Sequence, residues 1–296
     1  MNPWPDIERA ISEAGDSGFA IASRTAAGGG CINECFEIRG SGRTYFVKLN
    51  APGKADMFAA EAAGLSQIAQ SKTLRVPLPV CHGGSAAASW IVLEHLNLVS
   101  PDDKGMRALG AGLARMHRVT SPRYGWTRDN TIGSTLQPNG CAEDWIAFWR
   151  EHRLGHQLKL AETLAKTEGN ARLLDKGARL MEKLPAFFAG YRPVPSLLHG
   201  DLWTGNAAMM ANGEAVIYDP AVYFGDREAD VAMTELFGGF TSSFYSAYRS
   251  AFPLDGGYST RRTLYNLYHV LNHWNLFGGG YGTQAGRMID ELLALA

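Results

Sequence analysis

The sequence predicts an α+β protein of two lobes, a small antiparallel β lobe over residues 1–96 and a larger, mainly helical lobe over residues 97–296 with one β-hairpin embedded in it. Three observations carry this. Short strand-like runs bounded by glycines and prolines crowd the first third of the chain, apolar stripes at helical spacing dominate after Asn97, and Asn212-Gly213 separates two apolar runs far downstream. Asn-Gly between such runs is a strong hairpin signal, because both residues tolerate the positive φ a tight turn needs.

The elements follow in order. Ile7, Ile11 and Ala14 recur at near-helical spacing after Pro3 and Pro5, predicting an N-terminal helix within residues 1–22. Thr25 to Ile38 reads as a glycine-rich turn leading into a strand, and Gly40-Ser41-Gly42 turns the chain into a second strand, Thr44 to Asn50. On that strand Lys48 shares a face with Phe46 and Asn50, opposite Val47 and Leu49. Asp56 to about Gln70 joins good helix formers to an apolar face through Phe58, Ala62, Leu65 and Ile68, and it carries Glu61. Val76-Pro77-Leu78-Pro79-Val80 is extended, since proline excludes helix there. Cys81-His82 reads as a buried thiol beside a loop histidine, and Ser89 to Glu94 as a buried strand. Beyond the boundary near residues 96 to 98, helices are expected over Met106 to Val119, Asp144 to Leu160 and Asn170 to Phe188. Aromatic-rich helices then run through Tyr245, Tyr248, Leu264, Tyr268 and Trp274, with Phe277 to Tyr281 as a short glycine loop.

Composition narrows the function. The chain has 296 residues and 46% apolar content, enough for two lobes with their own cores. Lys plus Arg number 28 against 29 Asp plus Glu, a net charge of -1, so no basic excess points to nucleic acid or an anionic membrane. The start, Met1-Asn2-Pro3-Trp4-Pro5-Asp6, lacks the basic and apolar segments of a signal peptide, and no apolar run is long enough to span a bilayer; a cytoplasmic location is expected. Cys31, Cys35, Cys81 and Cys141 are too few and scattered for a disulfide framework, and Cys31 with Cys35 lacks the second pair or nearby His of a zinc site.

The chemistry concentrates in His199-Gly200-Asp201-Leu202-Trp203-Thr204-Gly205-Asn206, followed by Ile217-Tyr218-Asp219-Pro220. Phosphoryl transfer needs one carboxylate to take a proton from the attacking hydroxyl, and an amide with a second carboxylate to hold Mg2+. Asp201 fits the first role, Asn206 and Asp219 the second. Asn206 lies five residues after Asp201, the Asp-to-Asn separation of a protein-kinase catalytic loop, although Gly200 stands where kinases carry Arg. Taken singly these are turn residues; together, with a hairpin between them, they read as a site.

Other residues complete a nucleotide site. Lys48 on a strand and Glu61 thirteen residues on match the Lys and Glu pair that grips the α/β phosphates of ATP in kinases. Gly28, Gly29 and Gly30 occupy the place of a phosphate-covering loop, without the spacing of a Walker A or G-x-G-x-x-G motif, so a plain flexible turn is an equal reading. Glu94-His95-Leu96 ends the last strand of the first lobe, where unpaired backbone groups suit an adenine edge. Asp230 is expected to hydrogen-bond the backbone of His199 to Asp201, His199 to brace the loop rather than act as base, and Trp203 to stack on substrate, core packing being the equal alternative. His117 sits at a helix end, and His152 and His156, lacking the H-E-x-x-H pattern, read as a solvated helix face.

These residues carry a resemblance. Gly29-Gly30-Cys31-Ile32-Asn33, Tyr45-Phe46-Val47-Lys48, Leu93 to Leu96, Leu198 to Asn206, Asp219-Pro220-Ala221, Gly225 to Met233 and Leu236 to Phe240 resemble the fructosamine kinase / ketosamine-3-kinase family nearly end to end. The family is protein-kinase-like and related to aminoglycoside and choline kinases. The resemblance implies an ATP- and Mg2+-dependent enzyme in which Asp201 accepts the proton of a ketosamine O3 hydroxyl. The 3-phosphate then decomposes and frees the amine, a deglycation. It further implies ribulosamines or erythrulosamines in preference to fructosamines, on free amines or protein lysines. Cys31 is similar to a loop cysteine that forms an intermolecular disulfide in some members, which leaves a monomer or a redox-dependent homodimer; an inert small residue is the alternative. Two other functions stay open. One is an aminoglycoside or choline kinase whose acidic pocket would draw on Asp226, Glu228 and Glu235. The other, ranked lower because every catalytic position is present, is a non-catalytic nucleotide-binding redox sensor.

Overall fold

A computed structural model describes residues 2–28, 32–168 and 170–296, so Gly29, Gly30 and Cys31 of the expected phosphate loop lie outside the described residues. The chain opens with helix α1 (Trp4–Glu13), then β1 (Ser23–Ala27), β2 (Glu34–Gly40), β3 (Arg43–Asn50), α2 (Ala55–Ser71), β4 (Pro79–Gly84) and β5 (Ser89–Glu94). The strands form one antiparallel sheet ordered β1-β2-β3-β5-β4. Ser41 (φ 50) and Gly42 (φ 75) give β2 and β3 a two-residue turn with both positions left-handed, which matches strand twist. Alternation then sorts the faces: Val47 and Leu49 pack with Ile7, Ile11 and Ile38 under α1, while Lys48 faces α2 and the cleft.

In the first lobe, two strands escaped the sequence reading. β1 was expected only as part of a glycine turn; four of its five residues are exposed, so this edge strand carries no alternation to read. Cys81 and His82 belong to β4 rather than a loop, and Cys81 is half-buried. Pro79 is tolerated because it is the first residue of an edge strand.

The second lobe runs β6 (Leu98–Val99), α3 (Asp103–Met116), β7 (Asn130–Ile132), β8 (Thr135–Gln137), α4 (Trp145–Phe148), α5 (His156–Leu160), α6 (Glu162–Thr167) and α7 (Ala171–Lys183). It continues with β9 (Ser196–Leu198), β10 (Ala207–Met210), β11 (Ala215–Ile217), β12 (Tyr223–Gly225), α8 (Glu228–Leu236), α9 (Ser242–Ala251), α10 (Tyr258–Phe277) and α11 (Gly280–Leu295). Asp102 and Asp144 cap α3 and α4 by accepting from Gly105 N and Ala147 N, each at 2.7 Å. The helix expected over Asp144 to Leu160 exists, but Trp149–Gly155 is π-helical between α4 and α5. That wide turn buries Trp149 and Arg153, the latter 4.0 Å over the Tyr223 ring. His152 and His156 are therefore not a solvated face: His152 packs 5.2 Å from Phe148, and His156 Nε2 lies 2.9 Å from Leu136 O.

The expected hairpin is β10 and β11, closed by a loop with Gly213 at φ 88. β10 also pairs with β6, tying the hinge to the hairpin. α3 packs on α9 so closely that a β-carbon on Gly110 would lie 2.3 Å from Phe244 O. Gly110→Ala is expected to cost about 1–3 kcal/mol by overpacking. Calorimetry should show this as a melting temperature lowered by several degrees. Among the described residues, no helix is long and apolar enough to cross a membrane.

Candidate active site

Strand β9 delivers His199, Gly200 and Asp201, and the β10–β11 hairpin returns the chain beside them. Two backbone bonds fix the return: Tyr218 N–H donates to Asn206 O at 3.1 Å and Ala221 N–H to His199 O at 2.8 Å. The second bond explains Gly200, which is at φ 84 with its missing β-carbon 2.1 Å from Ala221 O; no side chain fits there. Asp219 itself is left-handed, φ 56, a conformation that L-residues other than Asn, Asp and Gly rarely take.

Asp230, in the first turn of α8, reaches under the loop as expected. Its Oδ2 accepts from His199 N at 2.7 Å and its Oδ1 from Gly200 N at 2.8 Å. Burial alone would raise its pKa, but His117, His199 and the loop amides outweigh it and hold the carboxyl below its usual range. His117 is fully buried between Tyr248 Oη, 2.8 Å from Nδ1, and Asp230 Oδ2, 3.1 Å from Nε2. Sequence reasoning saw His117 only as a helix end. Its partners lie 113 and 131 residues away. His199 is a brace: Nε2 sits 2.9 Å from Tyr218 O, Nδ1 accepts from Asp201 N at 3.3 Å, and burial lowers the pKa of the ring.

Asp201 meets Asn206, whose Nδ2 donates to Asp201 O at 2.8 Å and approaches Oδ2 at 3.4 Å. Burial first, then the charges of Asp219 and Asp230, push its pKa up to about 7, with Asn206 opposing. From the other lobe Lys48 Nζ lies 2.6 Å from Glu61 Oε1 and also contacts the Asp219 carboxylate. Burial would discharge Lys48, but Asp219 and Glu61 hold it charged. One ammonium thus joins three sequence regions across the cleft.

The hinge differs in part from expectation. Glu94 N–H is not free but donates to Leu78 O at 2.9 Å, because the chain entering β4 runs alongside it. The Glu94 carboxylate contacts Arg75, and His95 Nε2 lies 2.9 Å from Glu37 Oε2. His95 and Leu96 sit beyond the end of β5.

Trp203 is 40% exposed, so it is not core packing that places it. It stands edge-on to Phe237 at 6.4 Å, and Phe237 lies 5.0 Å from His273, which neighbours Phe277 and Tyr281. This aromatic strip was missed. Its other members lie on α8's end, α10 and α11; Trp203 and Phe237 fell in motifs, but nothing in their spacing joined them to His273, Phe277 and Tyr281. Two surface hollows lie elsewhere: one of about 780 Å³ is lined by Glu235, Tyr245 and Arg249, and one of about 440 Å³ by Leu74, Arg75 and Leu78.

The acidic pocket that an aminoglycoside or choline kinase would need is not assembled from Asp226, Glu228 and Glu235. Glu228 Oε2 is buried against Arg261 Nε at 2.8 Å, and Asp226 accepts from Tyr191 Oη at 2.9 Å and from Tyr265 Oη. Glu235 accepts from Tyr258 Oη at 2.8 Å and Arg262 Nη1 at 2.7 Å.

Magnesium fits the residues present. Among the described residues, no group of three or more His, Cys, Asp or Glu side chains could hold a metal by itself. Asp219 and Asn206 instead offer the small hard-oxygen set that Mg2+ accepts when phosphates and water supply the rest. The Asp219 carboxylate already faces a cation, Lys48, and its charge is the largest electrostatic influence on Asp201 after burial.

A family model described as fructosamine kinase matches residues 3–295 of the chain. The chain belongs to the fructosamine kinase family. This fructosamine kinase family member is therefore a phosphotransferase. It is 46% identical over 294 residues to a "Probable ketoamine kinase" of Synechocystis sp., covering 99% of this chain and 98% of that one. It is 43% identical over 274 residues to the chloroplastic "Protein-ribulosamine 3-kinase" of Arabidopsis thaliana, covering 91% and 82%. A crystal structure of a "Putative fructosamine-3-kinase" from Haemophilus somnus superposes with a TM-score of 0.89 at 29% identity over 98% of this chain and 97% of that one. The expected protein-kinase-like bilobal fold is the observed one.

Proposed function

We propose that the enzyme transfers the γ-phosphate of ATP to the O3 hydroxyl of ketosamines, taking ribulosamine and erythrulosamine in preference to fructosamine. One observation carries the reading: a half-buried carboxylate, Asp201, raised to about 7, stands beside Asn206 and in the field of Asp219, which Lys48 contacts from the other lobe. A base of that pKa is matched to taking a hydroxyl proton near neutral pH. The names of the relatives support the substrate class.

In this reading residues 1–96 hold the nucleotide and residues 97–296 carry the chemistry. Asp201 takes the O3 proton as the O3–P bond forms and the bond to the bridging oxygen of ADP breaks. Lys48, oriented by Glu61, neutralises the α/β phosphates. Mg2+, when held by Asn206 and Asp219, spreads the charge developing on the transferred phosphoryl group. Gly28 with Gly29 and Gly30 would cover the phosphates, and the backbone of Glu94, His95 and Leu96 would meet the adenine through groups other than Glu94 N–H. Trp203 stacks on the sugar or its protonated amine, to which an indole face is attractive. Decomposition of the 3-phosphate then frees the amine.

The test is ATP turnover against the ribulosamine, erythrulosamine and fructosamine of one lysine derivative, with phosphorus NMR of the product and with kanamycin and choline alongside. Turnover is expected on the first two sugars, with the phosphate on C3. Turnover on kanamycin or choline and none on ribulosyl-lysine would overturn the proposal. A redox-dependent homodimer through Cys31 is part of the same reading. Parent activity and migration that are the same under oxidant as under reductant, and the same as those of Cys31→Ala, would leave the monomer.

A further inference from the structure

The β7–β8 hairpin has no part in the reaction as derived above, yet it carries two buried amides paired across its ladder, Asn130 (6% exposed) and Gln137 (0%). Buried amides are costly unless their donors and acceptors are matched. Here the donors converge on one segment. Asn130 Nδ2 donates to Val222 O at 2.8 Å, and Gln137 Nε2 to Ala221 O at 3.1 Å and to Asn130 Oδ1 at 2.8 Å. Behind them Tyr268 Oη donates to Gln137 Oε1 at 2.7 Å, Asn139 Nδ2 to Asn130 Oδ1 at 2.9 Å, and Arg153 Nη2 to Asn139 Oδ1 at 2.8 Å.

The gripped carbonyls follow Asp219 by two and three residues. Ala221 is also the residue whose N–H bonds His199 O and whose carbonyl lies against Gly200. Gly64 of α2 rests on the same segment, with its absent β-carbon 3.2 Å from Val222 Cγ2 and 3.6 Å from Pro220 Cγ. Gly64 is three residues from Glu61, on the same side of the helix. The left-handed backbone at Asp219 needs outside support, because such conformations persist only where the surroundings over-determine them.

We propose that Gln137 and Asn130 are positioning residues. Through the carbonyls of Ala221 and Val222 they hold the Asp219 segment in register with the Asp201 loop on one side and the Glu61 helix on the other. The amide clamp makes the Asp201, Asp219, Lys48 and Glu61 set a built feature of the fold. The inference rests on the proposed roles of Asp201 and Asp219, and it deepens them.

Three variants test it: Gln137→Leu, which removes the clamp; Tyr268→Phe, which removes only the hydroxyl orienting Gln137; and Tyr124→Phe as control. Tyr124 Oη donates to Pro193 O at 2.6 Å in another part of the core. Gln137→Leu is expected to lower kcat by about 10²-fold, the usual cost of displacing a reacting group by about 1 Å, with KM for ketosamine little changed. Tyr268→Phe should lower kcat roughly fivefold, one hydrogen bond's worth, and Tyr124→Phe should lose similar thermal stability with kcat intact. Calorimetric binding of ADP should weaken in the two clamp variants with magnesium present and stay at the parent value in EDTA. The proposal is overturned if Tyr268→Phe behaves as Tyr124→Phe does, or if ADP binding weakens equally with and without magnesium. Should Gln137→Leu fail to fold, Tyr268→Phe decides. If the parent turns over no ketosamine, it is the substrate reading that fails, and the magnesium-dependent ADP affinities still test the clamp.

Discussion

Asp201→Asn is expected to lower kcat by about 10²- to 10⁴-fold, the usual span for losing a positioned general base. The amide keeps the shape and accepts no proton. The pH dependence makes the assignment specific. Burial and the charges of Asp219 and Asp230 raise Asp201 from 3.8 to about 7, so in the free enzyme the base loses its vacancy for a proton as pH falls through that value. kcat/KM of the parent should therefore decline below about pH 7. The residual activity of the variant should show no such limb.

Stability should move the opposite way. A carboxyl with a raised pKa in the folded state binds a proton there that the unfolded chain has already released, so it opposes folding above about pH 7 and ceases to do so below about 3.8. Asp201→Asn removes that penalty. Its melting temperature should exceed the parent's by a few degrees at pH 8, with the difference fading in acid. A variant that keeps full phosphoryl transfer, or one less stable than the parent at pH 8, would remove Asp201 from the role.

Asp230→Ala is expected to cost both stability and rate. Its carboxylate receives two loop amides and faces His117, so truncation strands three buried polar groups at once. Breaking a buried, hydrogen-bonded charge of this kind costs about 3–5 kcal/mol. At roughly 2–4 °C per kcal/mol, the melting temperature should fall by about 6–20 °C. The sign with pH is set by the lowered pKa of Asp230: its contribution is complete above the unfolded carboxylate value and is lost as pH falls through the lower folded value. The gap between parent and variant should therefore be wide at neutral pH and close in strong acid. kcat should drop as well, since His199 and Gly200 position Asp201. A near-parent melting temperature with unchanged kcat would show that the loop holds itself.

Much of the site was legible because its members are close in the chain. Asp201, Asn206 and Asp219 flank one short hairpin, and the reach of Asp230 to the loop needed only one short helix to be imagined. Lys48 and Glu61 were found through spacing, and their 2.6 Å contact agrees. β1 was not legible, because four of its five residues are exposed, and the end of β4 read as a loop because Cys81-His82-Gly83-Gly84 shows no apolar alternation. The π-helical Trp149–Gly155 was not legible either, since its register is set by packing Arg153 among Phe148, Tyr223 and Tyr268.

By itself the sequence determined the bilobal order of elements, the Asp-Asn-Asp set, the braces at His199 and Asp230, and the family. Each is written in local spacing, where side-chain chemistry and turn preference act within a few residues. Only the tertiary structure decided that Lys48 meets Asp219 across 171 residues, that His117 is buried against Asp230, and that Gln137 and Asn130 grip the segment after Asp219. It also decided that Asp201 holds its proton up to about pH 7. Proton affinity and amide pairing depend on which distant groups share one dry volume, and that is settled when the core closes rather than by neighbours in the chain.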